Sequence, residues 1–119
     1  EVNRVKQMVE THPLGVKKRI FTDSELNYCY AKNNPFPHLA ARFAAKEAAA
    51  KAFGTGIRGI GWKEIEIIKE NDGQVGINLS GRAKQLALEL GITNFLLSLS
   101  HSREYAVAQA IAVGGGSRE

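Results

Sequence analysis

Val2, Val5 and Met8 recur at helical spacing while Arg4, Lys6 and Gln7 face elsewhere, which predicts a short amphipathic helix over residues 2–10. Pro13 and Gly15 end it, and Lys17, Lys18 and Arg19 form a small basic cluster beyond them. Thr22-Asp23-Ser24-Glu25 has the capping-box spacing and opens a second helix that runs to about Lys32. Asn33, Asn34, Pro35 and Pro37 break that helix, so a long alanine-rich one is expected from about His38 to Phe53, with Gly54 to Gly61 as a loop.

The period then changes from helical to alternating. Trp62, Ile65, Ile67 and Ile68 among charged residues predict a strand, Asn71-Asp72-Gly73 a hairpin turn, and Val75, Ile77 and Leu79 the return strand. Ser80 is placed to cap a helix of about ten residues that buries Ala83, Leu86, Ala87 and Leu90 and stops at Gly91. Asn94 to Ser100 and Tyr105 to Val113 form a last antiparallel pair around a polar turn at His101 to Glu104. Helices followed by strands, with one helix inserted, indicate an α+β domain over residues 1–113 built on a largely antiparallel sheet. The glycine-rich residues 114–119 read as a flexible tail.

Composition narrows the partners without choosing one. The chain has 119 residues and a formal net charge of +4, which favours a nucleotide, a nucleic acid or an acidic protein. No aromatic platform or basic helix accompanies the charge, so a nucleic acid is disfavoured. A single cysteine, Cys29, excludes an internal disulfide framework and a multi-cysteine zinc site. No apolar run approaches the roughly 20 residues that span a bilayer, and no basic-then-apolar leader is visible, so a soluble cytoplasmic protein without membrane contact is expected.

The stretch Arg42 to Gly56, RFAAKEAAAKAFGTG, carries the candidate chemistry. Glu47 and Lys51 lie one turn apart, as do Arg42 and Lys46 on a neighbouring strip, so cations flank one acid. Gly54-Thr55-Gly56 supplies backbone able to approach an anion closely. The same residues also make a solvated, well-capped helix, the reading that composition alone favours.

That stretch, joined with Ser100-His101-Ser102 and Glu104-Tyr105-Ala106, resembles the holo-acyl-carrier-protein synthases, the small 4′-phosphopantetheinyl transferases. Phe21-Thr22-x-Ser24-Glu25-Leu26 and Asn71-x-Gly73 with Leu79-Ser80-Gly81 extend the match across nearly the whole chain. The resemblance implies transfer of phosphopantetheine from coenzyme A to a serine of apo-acyl carrier protein, in support of fatty acid biosynthesis, by a magnesium-dependent homotrimer with sites between subunits. It makes Glu47 the metal ligand, sets Glu47 and His101 at the reaction, and assigns Arg42, Lys46, Lys51, Gly54, Thr55, His101 and Ser102 to coenzyme A. Arg4 and Arg19 fall to the acidic face of the carrier protein. The proton acceptor stays open among His101, a water held by Glu47, and an aspartate. That aspartate belongs to the opening Gly-x-Asp-x-x-Glu of the family, whose last acid Glu1 matches, so it is expected three residues upstream, in an N-terminal strand missing from this sequence. A second reading is a non-catalytic basic module that binds the carrier protein or a nucleotide.

Overall fold

In chain order the elements are helices α1 (Val2–Thr11), α2 (Val16–Ile20), α3 (Asp23–Tyr30) and α4 (Pro35–Ala52), strands β1 (Ile65–Lys69) and β2 (Val75–Leu79), helix α5 (Gly81–Leu90), and strands β3 (Ile92–His101) and β4 (Ala106–Gly114). They are those of a computed structural model that describes residues 1–11, 15–54, 59–69 and 74–114. The expected turn at Asn71-Asp72-Gly73, the Pro13 stop, Thr55 and residues 115–119 of the expected tail lie outside the described residues.

The structure departs from the sequence reading where local signals admit two outcomes. Pro35 and Pro37 do not precede the long helix but sit inside its first turn, behind Asn34, whose side chain accepts from Phe36 N at 3.3 Å. The first turn of a helix has no intrahelical partner for its N–H groups, so proline costs little there. The basic cluster Lys17, Lys18 and Arg19 lies in the short helix α2. Trp62 to Glu64 form a 3₁₀ turn, and the strand begins only at Ile65. Ser80 occupies the N-cap position of α5, yet its side chain makes no capping bond. The Glu64 carboxylate accepts from Ala83 N at 2.9 Å instead, so the cap of α5 comes from the 3₁₀ turn. Gly81 makes room for that arrangement: a Cβ there would lie 3.0 Å from the Glu64 carboxylate.

The strands are all antiparallel, but they form two hairpins, β1–β2 and β3–β4, rather than one continuous sheet. Helix α4 lies across β4 and β3 and also touches α1, α3 and β1, which makes it the element that most others are built around. Its alanines allow this, because Ala45, Ala49 and Ala50 let strands approach closely. On one side these alanines and Phe53 pack with Ile65, Ile67, Leu86 and Phe95. On the other, Leu39 and Ala40 join Val2, Val5, Val9, Ile20, Phe21 and Cys29, so the apolar stripe of α1 is covered as its spacing requires. No described helix is long and apolar enough to cross a membrane.

Candidate functional site

The four charged residues of α4 divide into two pairs with different fates. Arg42 and Lys46 are buried, whereas Glu47 and Lys51 are exposed. At about 100° per residue, Arg42 and Glu47 are roughly 140° apart around the helix, so they face different surroundings.

Lys46 is enclosed, and its ammonium is fully used inside the protein. It donates to Trp62 O at 3.0 Å and to Ile65 O at 2.7 Å, and it pairs with Glu25 Oε1 at 2.9 Å. Glu25 also accepts from Thr22 N at 2.9 Å and from Ile67 N at 2.7 Å. Burial lowers the pKa of Lys46, and the Glu25 charge opposes that shift. The expectation that Lys46 faces coenzyme A is therefore corrected: it fastens α3 and β1 to α4. Glu25 carries out the capping-box role expected of it and is, in addition, the counter-ion that the sequence reading did not see.

Arg42 faces a cluster of cations around Tyr28. Its guanidinium carbon lies 4.2 Å from the Tyr28 ring centroid, with Lys32 Nζ at 4.6 Å and Lys69 Nζ at 6.0 Å from the same ring. His38, one helical turn before Arg42, meets His101 at the end of β3 with ring centroids 4.6 Å apart. Arg42 is 5% exposed, and its Nε has no hydrogen-bond partner among the described residues. A buried cation without a carboxylate is costly, and the arrangement suits an arriving anion. Burial raises the pKa of the Tyr28 hydroxyl, but a hydrogen bond and the charge of Lys69, with Lys32 and Arg42, outweigh it and leave the value lowered. Burial lowers the pKa of His38, and His101, Arg42, Lys32 and Lys69 push it the same way. The sequence reading had Arg42 and His101 but not His38, Lys32 or Lys69. His38 was legible by the same one-turn spacing, whereas the two lysines arrive from just beyond α3 and from β1.

Glu47 lies on the other side, in a cleft of about 430 Å³ between α1 and α4 that Glu1, Arg4, Met8, Phe43 and Ala106 also line. Its carboxylate has no hydrogen bond or ion pair among the described residues, so its oxygens are free for a hard cation. No described group of three or more His, Cys, Asp and Glu side chains gathers to hold a metal. A magnesium ion, however, takes one or two carboxylates and completes its shell with water and phosphate oxygens, so a single free carboxylate such as Glu47 fits the chemistry of such a site.

The other expected residues stand as follows. Lys51 is exposed one turn beyond Glu47, and Gly54, at φ 86°, donates to Lys51 O at 2.9 Å to close α4. Ser102 shapes its turn: its Oγ accepts from Tyr105 N at 3.2 Å and Glu104 N at 3.3 Å. The turn is tied to α1 because Val2 N donates to Glu104 O at 3.0 Å. Arg4 and Arg19 are exposed on the neighbouring helices α1 and α2. Thus Arg42 and His101 come together, Glu47 joins Arg4 elsewhere, and Lys46 joins neither.

Known proteins share both the sequence and this architecture. The sequence matches the family profile of the 4′-phosphopantetheinyl transferase superfamily over residues 1–110. It is 48% identical to a holo-(acyl-carrier-protein) synthase of Caldanaerobacter subterraneus subsp. tengcongensis, covering 97% of this chain and 90% of that protein. The crystal structure of the holo-(acyl-carrier-protein) synthase of Neisseria meningitidis superposes with a TM-score of 0.84 at 32% identity, covering 94% of this chain and 90% of the other. That of Helicobacter pylori, in complex with coenzyme A, gives a TM-score of 0.80 at 26% identity over 94% and 93%. Agreement of this extent, in sequence as well as in fold, establishes that the chain belongs to the 4′-phosphopantetheinyl transferase superfamily.

Proposed function

We propose that the chain transfers 4′-phosphopantetheine from coenzyme A to a serine of an apo-acyl carrier protein, releasing adenosine 3′,5′-bisphosphate, as a cytoplasmic homotrimer with sites shared between subunits. The observation that carries this reading is the separation of Arg42 from Glu47. One face of α4 offers a cation cluster for an anion, and the other offers a free carboxylate in a cleft. Coenzyme A is an elongated anion with a pyrophosphate at its reacting end and a phosphate on its ribose. The cation cluster of one copy suits the nucleotide end, and the Glu47 cleft of the next suits the pyrophosphate.

In the transfer, the serine Oγ attacks the phosphorus that bears pantetheine and gives up its proton to a base or to solvent, the P–O bond to the bridging oxygen breaks, and the leaving 5′-phosphate takes the electron pair. Glu47 would hold magnesium, which compensates the charge that gathers on the pyrophosphate oxygens. Lys51, exposed one turn away, adds positive charge on the same side of α4. Arg42 and His101 orient the nucleotide, and Gly54 belongs to the coenzyme pocket. Arg4 and Arg19 give α1 and α2 a positive surface for an acidic carrier protein.

The outer face of the β3–β4 hairpin supports self-association. Leu96 and Ile111, directly paired across the hairpin, are 55% and 59% exposed, and Val107 lies on the same face of β4. Ser98, Ser100 and Gln109 share that face, and exposed apolar side chains among them gain stability by packing on a copy of the chain. The names of the relatives favour transfer over a binding-only module. The test is intact-mass measurement of apo-acyl carrier protein after incubation with the protein, coenzyme A and magnesium. Added phosphopantetheine is the expected result, and an unchanged mass refutes the reading.

A further inference from the structure

We propose that His38 and His101 form one proton-accepting site for a phosphate monoester dianion, so that docking of the nucleotide end is coupled to proton uptake by the protein. The two rings meet edge to face at 4.6 Å between centroids, one from α4 and one from the end of β3, with His38 half-buried and His101 exposed. The charged or titratable neighbours of His38 are Tyr28 on α3, Lys32 just beyond α3, Arg42 on α4, Lys69 on β1 and His101 on β3. No carboxylate figures among the charges acting on His38, and burial together with these cations lowers its pKa. The buried Arg42, its Nε unpartnered among the described residues, is a further sign that the cluster awaits an anion.

The chemistry follows from charge balance. Without an anion, burial and the neighbouring cations disfavour a proton on His38. A phosphate monoester, dianionic above its second pKa of about 6, reverses the local potential and favours the protonated form of His38. The proton comes from solvent and no covalent bond changes. Binding therefore weakens as pH rises through the His38 pKa of the complex, because the complex then has to give up the proton it gained. His38 is in this account a binding residue for coenzyme A, and the inference rests on the proposed coenzyme reading only for the name of that ligand.

The experiment is a histidine-ring NMR titration of the full chain, alone and with saturating adenosine 3′,5′-bisphosphate. The His38→Gln spectrum identifies the His38 resonance. The pKa of His38 is expected to rise by about one unit or more with the bisphosphate, and not with adenosine, which carries no phosphate, at the same concentration. In the transfer assay, His38→Gln is expected to raise the KM for coenzyme A by about three- to tenfold, with kcat retained, and to flatten its rise with pH. An unchanged His38 pKa with the bisphosphate overturns the proposal, as does an equal rise with adenosine. Failure of phosphopantetheine transfer with the His38 pKa raised would leave the anion site standing and remove the transferase reading. Transfer with an unmoved His38 would do the reverse.

Discussion

Lys46 and Glu25 stand 2.9 Å apart with neither side chain exposed, and between them they hold α3, α4 and β1 in register. Every polar atom of the pair that needs a partner finds one in this network, which is the condition under which a buried ion pair is tolerated. Removing one partner leaves a buried charge alone. Lys46→Met is therefore expected to lower unfolding stability by about 3–5 kcal/mol, and the double variant Lys46→Met with Glu25→Gln to recover part of that loss. Urea unfolding of the two variants beside the wild type checks this, and a single-variant loss below about 1 kcal/mol would contradict it.

Lys46 also shows how far the sequence carries. Its position on a helix with Arg42 and Glu47 was legible from spacing, and so were the capping box at Thr22, the inner face of α1, the last two strands, and Ala83, Leu86 and Ala87 of α5, whereas Leu90, expected on that same face, is 47% exposed at the end of the helix. What spacing does not carry is which way a helix face turns in the folded chain. Lys46 looked like one more cation beside Glu47 because its partner, Glu25, lies far away in sequence and had already been given a local role. Pro35 and Pro37 were ambiguous for a different reason, since proline both ends one helix and suits the first turn of the next. The cluster around Tyr28 was legible only in part, because Lys32 and Lys69 join it by tertiary packing.

Cys29 is fully buried on the inner side of α3, and burial raises its pKa to about 11. A thiol two units above the usual value presents about 100-fold less thiolate near neutral pH. Alkylation by iodoacetamide at about pH 8 is expected to be slow in the native protein and fast once urea unfolds it. Equal rates in the two states would contradict the burial of this residue.

The lowered pKa of His38 predicts a pH dependence of stability. Between the folded value and the ordinary value of 6.5, the unfolded chain holds more protons on this residue, so stability rises with pH in that window. The penalty is fully present below the folded pKa and disappears above 6.5. The ligand-free wild type is thus expected to lose Tm relative to His38→Gln as pH falls from about 7.5 to about 5.5. Thermal unfolding across that range checks it, and a constant gap between the two proteins would contradict it.

The outer face of the β3–β4 hairpin makes a separate claim about assembly. Leu96→Lys, on a side chain that is 55% exposed, costs the isolated chain little but sets a charge into the proposed contact between copies. A shift from trimer to monomer by light scattering is expected, with transfer activity lost alongside it. An unchanged trimer would place the subunit contact elsewhere.

The central claim is that one site draws Arg42 from one copy and Glu47 from another, and mixing two inactive chains tests it most directly. Glu47→Ala and Arg42→Met are each expected to lower phosphopantetheine transfer by on the order of 100-fold. Unfolded and refolded together in equal amounts, they should give about a quarter of the wild-type sites intact by random pairing. The measurement is the intact mass of apo-acyl carrier protein after reaction with coenzyme A and the mixture. Recovery toward that quarter is the predicted result, and a mixture no more active than either chain alone, with both variants folded, would contradict the account.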